Sequence, residues 1–154
     1  MAYHFYIQKY PQDGQTFPKV DIEQNYKCRY KQFKDFAFSG DVKNVYIEDF
    51  AEKSGSSKIW IPKKEDLTFQ SYDCTLELLF DKQTCLEDVR KFDDEIRGCK
   101  IEYSDDFRSL FVTLLMTKQP QIQQEVLYGN RKYMLVSFTF TNLHGQAFKQ
   151  SQIK

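Results

Sequence analysis

Tyr72, Cys74, Leu76, Leu78 and Phe80 alternate with mostly polar neighbours. That is the period of a half-buried strand, and it predicts a long strand over Leu67 to Phe80, entered through a bend near Thr68. Asp81-Lys82-Gln83 turns the chain. Leu86, Val89, Phe92 and Ile96 then recur at helical spacing, so a short amphipathic helix over about residues 84–97 should lay that stripe on the sheet. Thr84-Cys85-Leu86-Glu87 matches a capping box, in which the Thr hydroxyl accepts from a first-turn amide and the Glu carboxylate reaches back to the cap. Gly98 stands where a left-handed C-terminal cap would end the helix. Two more strands follow, Cys99 to Tyr103 and Arg108 to Lys118. The second carries apolar residues on both faces, as a central or doubly covered strand does. Tyr133 to Thr141 is the last, with Met134, Val136, Phe138 and Phe140 on one face.

The rest of the chain is less regular. Tyr3, Phe5 and Ile7 alternate, which predicts a first strand. Residues 1–20 are broken by Pro11, Asp13-Gly14 and Pro18, and they read equally as an N-terminal arm that orders against a neighbour. Tyr26, Cys28, Tyr30, Phe36 and Phe38 alternate loosely over 21–38, with Lys27, Arg29, Lys31 and Lys34 between them. Val42, Val45 and Ile47 suggest a short strand or helical turn. Glu52 to Lys58 is small and polar and reads as a mobile loop. Ile59-Trp60-Ile61-Pro62 resumes a strand that Pro62 ends or confines to an edge. Ser104-Asp105-Asp106 and Tyr128-Gly129-Asn130 read as turns, Pro120 to Gln124 as a polar connector, and residues 149–154 as a frayed tail.

Composition sharpens this picture. The 154 residues fit a single domain, 1–154, with one hydrophobic core. Aromatics are 16% of the chain, with 14 Phe and 10 Tyr, which favours pleated, half-buried surfaces. The expected fold is therefore α+β, mainly an antiparallel β-sandwich or split barrel with one packed α-helix. Lys plus Arg and Asp plus Glu are 22 each. A chain with no basic excess is not built to hold nucleic acid by charge, so the lysines of 27–34 read as the wet face of a strand and no sequence-specific nucleic acid is expected. Zero net charge suits a subunit that associates. The apolar runs fall short of the ~20 residues a bilayer crossing needs, so no membrane partner is expected. Met1-Ala2-Tyr3-His4-Phe5-Tyr6 lacks a basic start followed by an apolar core, so no signal peptide is read there. Cys28, Cys74, Cys85 and Cys99 form no CxxC pair and read as reduced, packed thiols.

Candidate chemistry is sparse. His4 and His144 have no spaced carboxylate or cysteine to complete a metal set. Ser54-Gly55-Ser56-Ser57 has the look of a phosphate loop but lacks its Lys-Ser/Thr ending and a following helix. The acid pairs Asp93-Asp94 and Asp105-Asp106 fall on an exposed helix face and in a turn. No catalytic residue, cofactor or metal is assigned, and the chain is expected to be no enzyme.

The order strand, helix ending in Gly, strand, Tyr-x-Asp turn, long strand, connector, strand resembles the β-sandwich-plus-helix core of siphophage tail tube and distal tail (baseplate hub) proteins. Tyr72 to Phe80, Phe92 to Gly98, Ile101 to Arg108 and Tyr133 to Asn142 carry the resemblance, over about half the chain. Distal tail proteins often carry a further C-terminal domain, for which this chain has no room. The resemblance implies a non-enzymatic structural subunit of a phage or prophage tail, made in the bacterial cytoplasm and placed in the virion tail. It implies self-association into a homo-oligomeric ring and contacts with other tail proteins. On that reading the contact candidates are Ser54, Gly55, Ser56 and Ser57 of the polar loop, and Tyr3 and Phe5 of the arm.

Two other classes compete. A small carbohydrate- or peptide-binding β module would use Trp60, Tyr30 and Tyr46 as a stacking platform, which requires Trp60 to be exposed. An enzyme would need Asp105, Asp106 and Arg108 gathered in a deep pocket.

Overall fold

The computed structural model describes residues 3–36, 39–43, 46–49, 57–60 and 63–153, with the backbone alone for 46–49 and 57–60. In chain order the elements are β1 (Phe5–Lys9), β2 (Val20–Asp21), α1 (Ile22–Tyr26), β3 (Cys28–Lys34), β4 (Tyr46–Asp49) and β5 (Ser57–Trp60). A 3-10 turn (Lys64–Asp66) leads to β6 (Tyr72–Asp81), α2 (Cys85–Ile96), β7 (Lys100–Asp105), β8 (Phe111–Leu115), β9 (Gln121–Tyr128) and β10 (Arg131–Asn142). One eight-stranded sheet runs β2-β1-β7-β8-β10-β6-β3, with β9 also paired to β10. The pairings are antiparallel throughout, and β4 pairs with β5 in a separate hairpin. The protein is thus mainly antiparallel sheet with few helices, as the α+β expectation has it.

β10 organises the sheet. Ten of its residues pair with β6, from Tyr133 opposite Asp81 to Asn142 opposite Tyr72. On its other edge β9 lies along the first half and β8 meets Thr141 and Asn142. Alternation puts Val136, Phe138 and Phe140 of β10, and Cys74, Leu76, Leu78 and Phe80 of β6, on one face, all buried. The sheet curls over that face. Phe5 of β1 stacks on Tyr30 of β3 with ring centroids 3.7 Å apart, and Phe33 of β3 meets Tyr103 of β7 at 4.7 Å. The N-terminal residues are therefore sheet: β1 lies between β2 and β7, and Ile7 is buried.

Both helices close this core. α1 falls inside the stretch expected to be loose strand. Asp21 caps it, its Oδ1 accepting from the Glu23 and Gln24 amides at 3.0 and 3.2 Å. The helix buries Ile22 and Tyr26 and ends at Lys27 in the left-handed region, φ 54°. α2 forms where the pattern puts it, with two corrections. Its buried residues are Cys85, Val89, Phe92 and Ile96, whereas Leu86 is 76% exposed. The spacing fits either residue on the first turn, and the core takes the one that points at β6 and β10. The capping box does not form. The Thr84 side chain makes no bond to a first-turn amide and donates instead to Asp88 Oδ2 at 2.8 Å. At the other end Arg97 is the cap residue, and Gly98, at φ +84°, donates its amide to the Met116 carbonyl. Phe92 is the helix's anchor, 4.4 Å from Phe138 and 4.8 Å from Tyr26 by ring centroid.

Three further expectations change. Strand β6 begins at Tyr72 rather than Leu67. Residues 67–70 run beside Asp41–Lys43, Gln70 donating to the Asp41 carbonyl and Lys43 to that of Thr68. The Gln70 carbonyl fills the space a Cβ on Gly145 would need, and Gly145 holds φ +67°. The polar connector after Pro120 is strand β9. The C-terminal residues 148–153 are tied down: Phe148 exchanges two backbone bonds with Phe111, and Glu102, buried on β7, accepts from Ser151 Oγ at 2.6 Å and the Gln152 amide at 2.7 Å. A polar tail shows no periodicity, but a buried carboxylate needs donors and this segment supplies them.

The stripe correction has a measurable consequence. Phe92→Ala should lower the unfolding free energy by about 3–5 kcal/mol in urea denaturation. Leu86→Ala should stay within about 0.5 kcal/mol of the parent protein.

Candidate interaction surface

β9 is the least protected element of the sheet. Its sequence, Gln-Ile-Gln-Gln-Glu-Val-Leu-Tyr, holds one charge and no proline. One edge pairs with β10, and among the described residues the other pairs with nothing. Ile122, Leu127 and Tyr128 are 44%, 69% and 59% exposed. The strand exists because a tight turn sends it back along β10. Tyr128 pairs with Arg131 across the two-residue loop Gly129-Asn130, and Gly129 sits at φ +64° in the first loop position, as a type II′ hairpin requires. Between Gln124 and Ile122 the register slips against Leu135 and Val136, leaving Gln123 as a bulge whose side-chain Nε2 donates to Ser137 Oγ at 2.9 Å. The regular ladder therefore runs from Gln124 to Tyr128.

The opposite edge of this part of the sheet, β3, is guarded. It carries Arg29, Lys31 and Lys34, and its register slips between Tyr30 and Gln32. Its Tyr30 amide donates to Glu23 Oε2 at 3.1 Å, and its Phe33 carbonyl accepts from Arg108 Nη1 at 3.5 Å. Charges, a bulge and occupied backbone groups are the usual protections against strand addition, and β9 has the bulge and a single charge, Glu125, which Lys82 and Lys132 pair.

Beside β9 lies a small apolar cluster on the face of the sheet away from the main core. Leu79, Tyr133 and Leu135 are its buried members and Val126 of β9 packs against them. The Arg29 guanidinium lies over Tyr128 and Tyr133, 5.4 and 5.8 Å from their centroids, covering the cluster with a cation–π contact. Next along this face Glu77 is buried between two lysines. Lys34 Nζ is 3.0 Å from its Oε1, and Lys31 Nζ is 3.4 Å from its Oε2. Burial alone would raise the Glu77 carboxyl. Hydrogen bonds from Lys34 and Gln32 and the charges of both lysines outweigh it, and the net shift is downward. An open groove of about 1070 Å³ runs along the outside of α2, from Leu86 and Arg90 to Gln119 and Pro120, the residues that lead into β9.

Of the contact candidates read from the sequence, Tyr3 is half exposed and meets exposed Phe107 edge-on at 5.3 Å. Phe5 points inward and is consumed by the stack on Tyr30, so it offers nothing to a partner. Tyr30 is likewise lost to any stacking platform. Ser54, Gly55 and Ser56 lie outside the described residues; Ser57 opens β5, opposite Asp49. The side chains of Trp60 and Tyr46 also lie outside them. β9 was missed because exposure on both faces leaves no alternation, and the only trace in the sequence was the Gly129-Asn130 turn.

The buried acids Glu77, Glu102 and Asp105 are used to hold the fold. Asp105, read as a turn residue, ends β7 buried, accepting from Tyr103 Oη at 2.9 Å and from the Arg108 amide at 2.6 Å. Arg108 lies over the Phe36 ring. His4 Nδ1 is 2.8 Å from Asp21 Oδ2, on the residue that caps α1. Burial pushes the Cys74 thiol up to about 12, with Asp73 and Asp35 adding to it, and it pushes Cys28 up as well. Such thiols are poor nucleophiles. All four cysteines are free. Among the described residues no three His, Cys, Asp or Glu side chains gather to hold a metal, and no helix is long and apolar enough to cross a membrane. Neither a protein-family model nor a curated protein matches the chain.

The Glu77 site gives a pH signature. Its depressed carboxyl adds stability above its ordinary value near 4.5, and that stability is lost as pH falls through the lower folded value. Glu77→Gln should therefore be less stable than the parent at neutral pH, and the gap should close on acidification, read as paired urea midpoints across pH.

Proposed function

We propose that this protein is a non-enzymatic structural subunit that assembles through its sheet edge, and that the assembly is the ring of a phage or prophage tail. The observation that carries the assembly reading is β9: an open strand edge with three exposed apolar side chains, across the sheet from the guarded edge of β3. An exposed backbone edge binds another strand by main-chain hydrogen bonds. The internal use of Asp105, Glu102 and Glu77 supports a structural role, since each carboxylate serves the fold. The tail reading rests on the resemblance of element order; β6, α2, β7, β8 and β10 follow one another as that pattern has them, with β9 inserted. On this reading the curled sheet is a β-sandwich or split barrel, with Tyr3 as a second contact point between subunits. The same edge favours one alternative, a module that takes an extended peptide as an added strand.

Light scattering across protein concentration, followed by electron microscopy of any large species, tests this. The expected result is mass growing in steps of the subunit with rings in the micrographs. A monomer at every concentration would replace the assembly reading, and a peptide-dependent change in Trp60 fluorescence in that monomer would install the binding module.

A further inference from the structure

We propose that β9 pairs antiparallel with β9 of a second copy of this chain, about a two-fold axis passing through Val126. The inference rests on reading β9 as an assembly edge and adds the partner and the register.

Backbone geometry fixes which groups are on offer. The residues that close a two-residue hairpin exchange backbone bonds, so Tyr128, Val126 and Gln124 bond to β10 across Arg131, Tyr133 and Leu135. The N–H and C=O groups of Leu127 and Glu125, between them, face outward. The bulge at Gln123 ends the regular run, leaving five residues, 124–128, whose midpoint is Val126. A two-fold axis there uses all of them: Glu125 exchanges backbone bonds with Leu127 of the copy, Val126 lies opposite Val126, and Tyr128 opposite Gln124.

Charge selects the same register. Glu125 is the one charged residue of β9. An axis through Glu125 would set the two carboxylates directly opposite, which is destabilising. With the axis at Val126 each Glu125 faces Leu127 of the copy instead. Lys132, cross-strand from Leu127 and already 3.8 Å from its own Glu125, then flanks the copy's Glu125 on the same sheet face. The side chains agree. Val126 packs against the Leu79–Tyr133–Leu135 cluster, so pairing at the axis joins the two copies' clusters through their Val126 side chains. A second copy's β9 is the favoured occupant over a head-to-tail neighbour presenting β3, because that edge is already occupied by Glu23 and Arg108. An isologous contact of this kind closes on itself as a dimer, so a ring is built from such dimers only through a second, heterologous contact, for which exposed Tyr3 is the candidate.

Across a two-fold axis Val126 forms a pair without backbone bonds, with Cα atoms about 4.5 Å apart. That lies within disulfide range. In a Cys99→Ser background under a mild thiol oxidant, Val126→Cys should give a disulfide-linked dimer on a non-reducing gel. Gln124→Cys should not, since its two copies lie roughly 14 Å apart in this register. Leu127→Pro removes an outward N–H that no intrachain bond uses, so it should give a monomer by light scattering with unchanged far-UV circular dichroism. Linkage at Gln124→Cys in place of Val126→Cys would overturn the register. Self-association of the parent protein without linkage at either position would overturn this register, and self-association that survives Leu127→Pro would overturn β9 pairing while leaving self-association itself standing. No self-association of the parent would overturn both.

Discussion

The ten-residue ladder between β6 and β10 is the constraint on which the rest depends. Because side chains alternate across a strand, fixing this register fixes which side chains enter the core and which do not; with β10 held in place, a slip of β6 by one residue would turn Leu76 out and bring Glu77 in opposite Phe138. With the ladder set, α2 has a seat for Phe92, Cys74 has the Phe140 carbonyl for its thiol, and the remaining edge of β10 is left for β8 and β9 to share. β10 is buried on its core face along most of its length, while its first half is also covered on the other face by Leu79, Val126 and Arg29.

That dependence explains what could be read in advance. β6 and β10 announce themselves because each has one face in a deep core and the alternation is strong. α2 announces itself for the same reason at helical period. Its first turn was misassigned because Cys85 and Leu86 are adjacent, about 100° apart on a helix, and only the position of the sheet decides between them. α1 is five residues long, too short to show a period, and its marker is a single capping aspartate. β9 was illegible for a different reason. Strand pattern is a record of burial, and a strand exposed on nearly every residue leaves none. The surface most open to a partner was thus the one the sequence hid best.

The acids make the complementary point. Acid pairs in a sequence invite thoughts of catalysis, but here the buried carboxylates find donors in their own chain: Asp105 from Tyr103 and Arg108, Glu102 from the C-terminal residues, Glu77 from Lys34 and Gln32 with the Lys31 charge beside it. A buried carboxylate with its donors supplied is a costly group to disturb, so these sites order the segments that satisfy them. Residues 148–153 are held beside β7 for this reason, although their composition reads as a tail. On β9, by contrast, the chain leaves Ile122, Leu127 and Tyr128 exposed beside a strand edge that pairs with nothing among the described residues.

Edge protection settles how those leftovers should be read. A sheet that had merely accumulated exposed strands would be expected to leave both edges alike. Instead β3 carries cations, a bulge and two occupied backbone groups, while β9 carries Leu127 and Tyr128 outward and places its one acid between Lys82 and Lys132. That asymmetry is hard to account for by solubility alone, because protecting β9 would take only a lysine or proline at an outward position, and neither residue is there. The hairpin turn, the bulge and the paired lysines together hold a short, straight, nearly neutral edge in place. Such an edge offers the outward N–H and C=O groups of Glu125 and Leu127 to a strand that reaches them.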